Sequence, residues 1–267
     1  MIGFTTRTFA GAISRGESTP EKIIAWAASE HFPWLEVRDV SLALEEGDLR
    51  KLAEQAEKRN VRLAYAWDGT NILDPADGKQ FLRGVKNAAV FGPGTFVRLT
   101  IAGRVIRDNP SKVGYSPAEL ATLRDRIQEY IRIAAEHGAR PVFENSHEPL
   151  TGSKPGEAGI SQLLDAILSM SLTFDPGNAM DREHNKSFCT AREVKQFYSV
   201  YRERLPYIHV KMTRGNIVQP GFVEDGDVEP AFYRQMLSDG KLVCIELSEA
   251  GDLRTCMSRI LEARRFL

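Results

Sequence analysis

Three carboxylates and one imidazole, those of Glu144, Asp175, His209 and Glu246, form an O/O/O/N donor set able to hold a divalent cation or to move protons. Each stands at or near the end of a short hydrophobic run: Pro141-Val142-Phe143-Glu144, Leu172-Thr173-Phe174-Asp175, Tyr207-Ile208-His209-Val210 and Val243-Cys244-Ile245-Glu246. Side chains alternate between the two faces of a strand. Val142 with Glu144, Thr173 with Asp175, Tyr207 with His209 and Lys211, and Cys244 with Glu246 each share a face. Leu172, Phe174, Ile208, Val210, Val243 and Ile245 fall on the other. Polar residues on one parity at the C-terminal ends of strands mark the mouth of a barrel, where barrel enzymes keep their chemistry. A lone glutamate at a strand end is more often a cap or a surface group, but four such residues agreeing in parity and end is a much rarer accident. Without counter-charge the three carboxylates would take up protons or destabilise the fold. One divalent ion (Mn2+, Mg2+, Co2+ or Zn2+) would resolve that conflict.

Parity and position along the strands and loops supply secondary candidates. Lys211 lies two residues nearer the mouth than His209 and could hold a substrate oxygen or anion, or simply reach solvent. Glu36 and Arg38 share a face of the second strand, with Arg98 nearby on the fourth. Glu36 fits a structural ion network, and Arg38 and Arg98 fit substrate contact. Trp67, after the third strand, could cover the apolar face of a sugar or serve as a core aromatic. His31 and His137 close helices, where the dipole favours them. His184 lies in a polar loop with no assigned role. Gly152-Ser153-Lys154-Pro155-Gly156 lacks GxxxxGK[ST] and reads as a flexible loop rather than a phosphate cradle.

Eight strands must position these residues. β-branched or aromatic runs occur near residues 2–5, 34–38, 61–66, 95–100, 139–144, 172–175, 206–211 and 242–246. Helical segments lie between them. Ser116-Pro117-Ala118-Glu119 sets a capping serine, a proline at the first helical position and a glutamate at the third, before Leu120, Leu123, Ile127 and Ile131. Thr190-Ala191-Arg192-Glu193 and Ser18-Thr19-Pro20-Glu21 repeat the pattern, and His137-Gly138, Arg59-Asn60 and Asp239-Gly240 read as helix ends. Hydrophobic strands alternating with helices imply parallel pairing. No GxGxxG follows the first strand. The reading is α/β, a single (β/α)8 TIM barrel over 1–267, with a long loop at 103–117 after the fourth strand.

Composition excludes more than it selects. With 267 residues, 42% of them hydrophobic and 27% charged, the chain has an ordinary globular make-up. Its 35 Lys+Arg and 36 Asp+Glu leave a net charge of −1, which gives no attraction to nucleic acid. No apolar run approaches the ~18–20 residues of a membrane span, and Thr5, Thr6 and Arg7 interrupt the place of a signal peptide's apolar stretch. Three widely spaced cysteines, Cys189, Cys244 and Cys256, argue against a disulfide framework and fit a cytoplasmic protein.

The runs Pro141-Val142-Phe143-Glu144-Asn145-Ser146-His147, Thr173-Phe174-Asp175-Pro176-Gly177-Asn178, Ile208-His209-Val210-Lys211 and Ile245-Glu246, with Gly226-Asp227-Val228, resemble the sugar phosphate isomerase/epimerase family of xylose-isomerase-like TIM barrels. The likeness spans essentially the whole chain and lies in the order and spacing of the motifs. It implies that Glu144, Asp175, His209 and Glu246 bind a divalent metal. It also implies that Glu144 and Glu246 are the acid/base pair, transferring protons through a metal-stabilised enediolate of a carbohydrate substrate. His147 matches a substrate-contacting loop histidine. Asn178 stands where many epimerases of the family carry histidine, which weakens an epimerase assignment specifically.

Other readings share the barrel. Abasic-site zinc endonucleases need extra histidines on the second and third strands, which here end in Val37-Arg38-Asp39 and Ala66-Trp67-Asp68. A dehydratase of the inositol-catabolic type would use the same metal and base. A sugar-binding barrel without turnover would need no metal. Neither the sugar, its phosphorylation state nor homo-oligomer formation is readable from the sequence.

Overall fold

The computed structural model describes residues 1–40, 42–68, 70–109, 111–152, 158–247 and 251–267. Eight parallel strands close a barrel: β1 (Ile2–Thr5), β2 (Trp34–Arg38), β3 (Arg62–Ala66), β4 (Phe96–Thr100), β5 (Arg140–Glu144), β6 (Leu172–Phe174), β7 (Tyr207–Val210) and β8 (Leu242–Ile245). β1 pairs with both β2 and β8, so no edge is left open. Ser153–Gly156 of the glycine-containing loop lie outside the described residues.

Local sequence sets the helix ends. Ser116 and Thr190 make reciprocal capping boxes with Glu119 and Glu193. The third predicted box differs: Thr19, not Ser18, caps Pro20–Ser29, accepting from the Lys22 N–H, because Pro20 takes the first helical position. The 103–117 segment is not loop throughout. Gly103–Arg107 forms a helix, with Val105 and Ile106 packed into the outer core. Among the described residues, no helix is long and apolar enough to cross a membrane.

Two apolar clusters fill the space between strands and helices, one containing Tyr65, Trp67, Phe81, Leu99 and Phe143, the other Phe4, Leu35, Val37 and Ile245. A separate cluster of Trp34, Ala64, Val142, Tyr207 and Cys244 plugs the lower barrel interior. Trp34 and Tyr207 meet edge to face at 5.2 Å. This plug leaves only the upper half of the interior, towards the strand C-termini, for polar groups.

Candidate active site

Above the plug, Tyr207 donates its hydroxyl proton to Glu36 Oε2 at 2.6 Å. The same oxygen lies 3.1 Å from His209 Nε2. The other ring nitrogen, Nδ1, faces Glu144 Oε1 at 2.9 Å and Glu246 Oε2 at 2.7 Å, with Asp175 Oδ2 at 4.0 Å. Glu144 ends β5, and Asp175 and Glu246 follow β6 and β8 directly. Strand parity therefore brings all four sequence-predicted donors to one point, with one ligand atom from each within 4.8 Å of the others. All four are buried.

The expectation of uncompensated charge is corrected by the structure. Arg98 Nη1 lies 2.8 Å from Glu144 Oε2, Arg38 Nη2 lies 3.1 Å from Glu246 Oε2, and Lys211 Nζ lies 2.8 Å from Asp175 Oδ2. Each carboxylate of the set thus already has its own cation. Arg38 and Arg98 also meet at Asp68 Oδ1, at 2.6 and 3.3 Å. Electroneutrality does not by itself require a metal. The donor set fits one on different grounds: three oxygens and an imidazole nitrogen converge, while the far ring nitrogen of His209 is held by a carboxylate.

Burial acts against charge on every member, and the partners decide the outcome. Burial would raise the Glu36 carboxyl, yet Arg38 and His209 outweigh it and hold it down at about 2. Glu246 follows the same logic, with Lys211, Arg38 and His209 taking it well below the usual carboxylate range. Asp175 goes the other way: burial dominates, and the carboxyl is raised despite Lys211. Burial opposes the His209 imidazolium, but Glu246, Glu36 and Glu144 raise its pKa well above the ordinary histidine range.

The predicted substrate groups divide. Arg38, His147, Asn178 and Lys211 line a cavity of about 410 Å³ over the donor set, together with Arg7, Asp68, Arg104, Arg107 and Ser146. Asn178 is fixed by its own N–H to Asp175 Oδ1 at 2.9 Å and by Lys211 Nζ on its Oδ1 at 3.0 Å. Arg98 is not brought to the cavity surface. It is fully buried between Glu144 and Asp68, and so belongs to the ion network. Trp67 is not at the mouth either. Its parity points it outward, where it packs on Tyr65 and Phe81 in the helix-facing core. Glu36 takes the structural place expected of it, and His184 bonds Asp181 Oδ2 through Nδ1 at 2.7 Å.

Three supporting residues escaped the sequence reading. Asn145 bonds both the N–H and the C=O of Asp175 at 2.8 Å, as a further strand would. Buried Glu148 accepts from the N–H groups of Ser146, His147 and Ala102 and from the Tyr115 hydroxyl, which fixes the loop after β5. Asp68 gathers Arg7, Arg38 and Arg98. Asn145 and Glu148 stand in the same Glu-Asn-Ser-His-Glu run as Glu144, a density of polar groups that was the available signal. Gly177 is required by close approach: a Cβ there would sit 2.5 Å from Lys211 Cβ and 2.8 Å from Lys211 O.

The sequence profile of the xylose isomerase-like TIM barrel matches residues 24–253. The chain belongs to that family. No curated protein matches the sequence. Among solved structures, the xylose isomerase-like barrel is shared with D-allulose 3-epimerase from Methylomonas sp. in complex with D-allulose, at 15% identity, TM-score 0.67, and 98% of this chain against 89% of that one. A sugar phosphate isomerase/epimerase from Parabacteroides distasonis matches at 12% identity and TM-score 0.65, covering 99% and 94%. A xylose isomerase-like TIM barrel protein from Mycobacterium smegmatis, in complex with magnesium, matches at 16% and 0.64, covering 94% and 89%. At these identities the likeness establishes the fold.

Proposed function

We propose that this chain is a divalent-metal-dependent sugar isomerase or epimerase. The observation that carries the reading is the convergence of Glu144, Asp175, His209 and Glu246 on one point beneath a polar cavity. Its family relatives' association with D-allulose and with magnesium supports the choice of ligand and cofactor.

A divalent cation held by these four residues would supply Lewis acidity towards a carbonyl and its neighbouring hydroxyl. Glu144 and Glu246 come from strands separated by β6 and β7, so their carboxylates approach the cavity from different sides. One removes the proton from the carbon beside the carbonyl, giving the enediolate. The other returns a proton to the opposite face of that carbon in epimerisation, or to the adjacent carbon in isomerisation. Arg38 on Glu246 and Arg98 on Glu144 orient the two carboxyl groups. Lys211 and Asn178, bonded to each other, offer donors to a substrate hydroxyl. His147 Nδ1 faces the His184 carbonyl at 3.2 Å, which can only accept, so the neutral ring carries its proton there and leaves Nε2 as an acceptor. Burial lowers the His147 pKa and favours that neutral form.

Glu246→Gln keeps the side chain's shape and removes the proton acceptor. With Mn2+ and a panel of ketoses and keto-inositols in D2O, the wild type should incorporate deuterium at the substrate carbon and the variant should not. Undiminished incorporation would sink the role of Glu246. Water loss instead of exchange, seen as a new conjugated-carbonyl absorbance, would assign a dehydratase.

A further inference from the structure

The outer wall of the cavity carries more positive charge than the proton-transfer chemistry uses. Arg104 and Arg107 both line it, and both are exposed. They stand three residues apart on the helix Gly103–Arg107 and so share one of its faces. That helix is firmly seated. A Cβ on Gly103 would meet Ser146 Oγ and His147 N, so helix and β5 loop are in contact without a gap. At its other end the Lys186 ammonium donates to the Ile106 carbonyl at 2.9 Å.

These two arginines are poorly used by the protein itself. Among the described residues Arg104 makes no ion pair, and Arg107 pairs only with its sequence neighbour Asp108, Nε to Oδ1 at 2.6 Å and Nη2 to Oδ2 at 3.2 Å, an exposed contact that solvent screens and a more highly charged anion can displace. The carboxylates lining the cavity, Asp68, Glu144 and Glu246, are already engaged by Arg7, Arg38, Arg98 and Lys211. A neutral sugar hydroxyl needs no such pair of cations, whereas planar guanidinium groups match a phosphate or a carboxylate.

We propose that Arg104 and Arg107 form an anion subsite, so that the preferred substrate is a sugar carrying a phosphate or carboxylate group. The subsite lies on the rim, beside His147, while the reacting carbons sit below at Glu144 and Glu246. It deepens the sugar isomerase reading and rests on it for the nature of the rest of the substrate.

The test is calorimetry on the full Mn2+-loaded chain with D-fructose, D-fructose 6-phosphate and 2-keto-D-gluconate. At least one anion should bind about tenfold or more tighter than D-fructose, and which of them does so separates phosphate from carboxylate. Arg104→Gln with Arg107→Gln, both at exposed positions where folding is not at stake, should abolish most of that preference. Equal binding of all three ligands, no binding of either anion, or a preference that survives the double substitution would overturn the subsite. Deuterium exchange, measured separately, distinguishes the two failures. Exchange with neutral ketoses but no anion preference defeats the subsite alone. Anion preference without exchange on any sugar defeats the isomerase reading alone.

Discussion

Replacing Glu36 by Gln isolates the buried carboxylate on which the site's orientation depends. Glu36 is fully buried and serves three donors: its Oε2 takes the Tyr207 hydroxyl and faces His209 Nε2, and its Oε1 takes Arg38 Nε at 3.2 Å. Glutamine keeps one acceptor oxygen. Turned towards Tyr207 and His209, it sets its NH2 against the Arg38 guanidinium. Turned the other way, it leaves the tyrosine and histidine donors facing an amide donor. Either arrangement breaks a buried pair, at a cost of roughly 3 kcal/mol. A second route gives a similar size: a carboxyl held at about 2 instead of its ordinary 4.5 contributes about 3 kcal/mol at neutral pH. The sign follows from the lowered value. This stabilisation is fully present above pH 4.5 and is lost as the pH falls towards 2. Urea unfolding of metal-free wild type and E36Q at pH 7 should differ by about 3 kcal/mol, and the gap should close on acidification through that window. Because Glu36 orients the far ring nitrogen of His209, proposed above as a metal ligand, Mn2+ affinity should also fall about 10–100-fold. Unfolding free energies within about 0.5 kcal/mol of each other at pH 7, or unchanged Mn2+ titrations, would refute the reasoning.

Lys211→Met removes the cation from buried Asp175 and should lower the melting temperature of the metal-free protein. Saturating Mn2+ should then raise it by more than in the wild type, because the ion restores the lost counter-charge; an equal or smaller rise counts against Asp175 as a ligand. Gly177→Ala would drive a Cβ to 2.5 Å from Lys211 Cβ, and the forced shift should reduce kcat/KM by about 100-fold, read beside a circular dichroism spectrum that stays native. Trp67→Ala should cost about 3–5 kcal/mol in urea unfolding, since the ring packs in the outer core; a variant of wild-type stability with a raised KM would return Trp67 to the substrate side.

The fold was legible because its signals are local and repeated. A hydrophobic run of four to six residues followed by a helical segment recurs eight times, and each observed strand lies within its expected run. The helix Gly103–Arg107 was missed for a reason of scale. Five residues with a glycine at the start and proline soon after show no full period, and only Val105 and Ile106 meeting the core make them helical. Parity found the four donors because it is a property of one strand at a time. Applied to Trp67, one position after Ala66, the same rule turns the ring towards the helices, which is the core-aromatic alternative of the two that the sequence leaves open. Arg98 does share the inward parity, but its depth below the mouth depends on the stagger between neighbouring strands, which no single strand records.

Charge shows most clearly what the linear chain conceals. A balance of −1 over 267 residues says nothing about where the cations are, and three clustered carboxylates seemed to demand a metal. Arg38, Arg98 and Lys211 come from β2, β4 and the end of β7, and closure of the barrel alone brings them to Glu246, Glu144 and Asp175. The pairing spreads the cost of burying four carboxylates, those of Glu36, Glu144, Asp175 and Glu246, over residues distant in sequence, so the polar layer can exist in the fold before any ion or sugar arrives. A divalent ion, on the function proposed here, would be selected by the convergence of donors around His209 Nδ1 rather than by bulk attraction. In such a site, metal affinity depends on ligand orientation, and the groups that set it, Glu36 behind His209 and Asn145 around Asp175, contribute through geometry rather than through charge count.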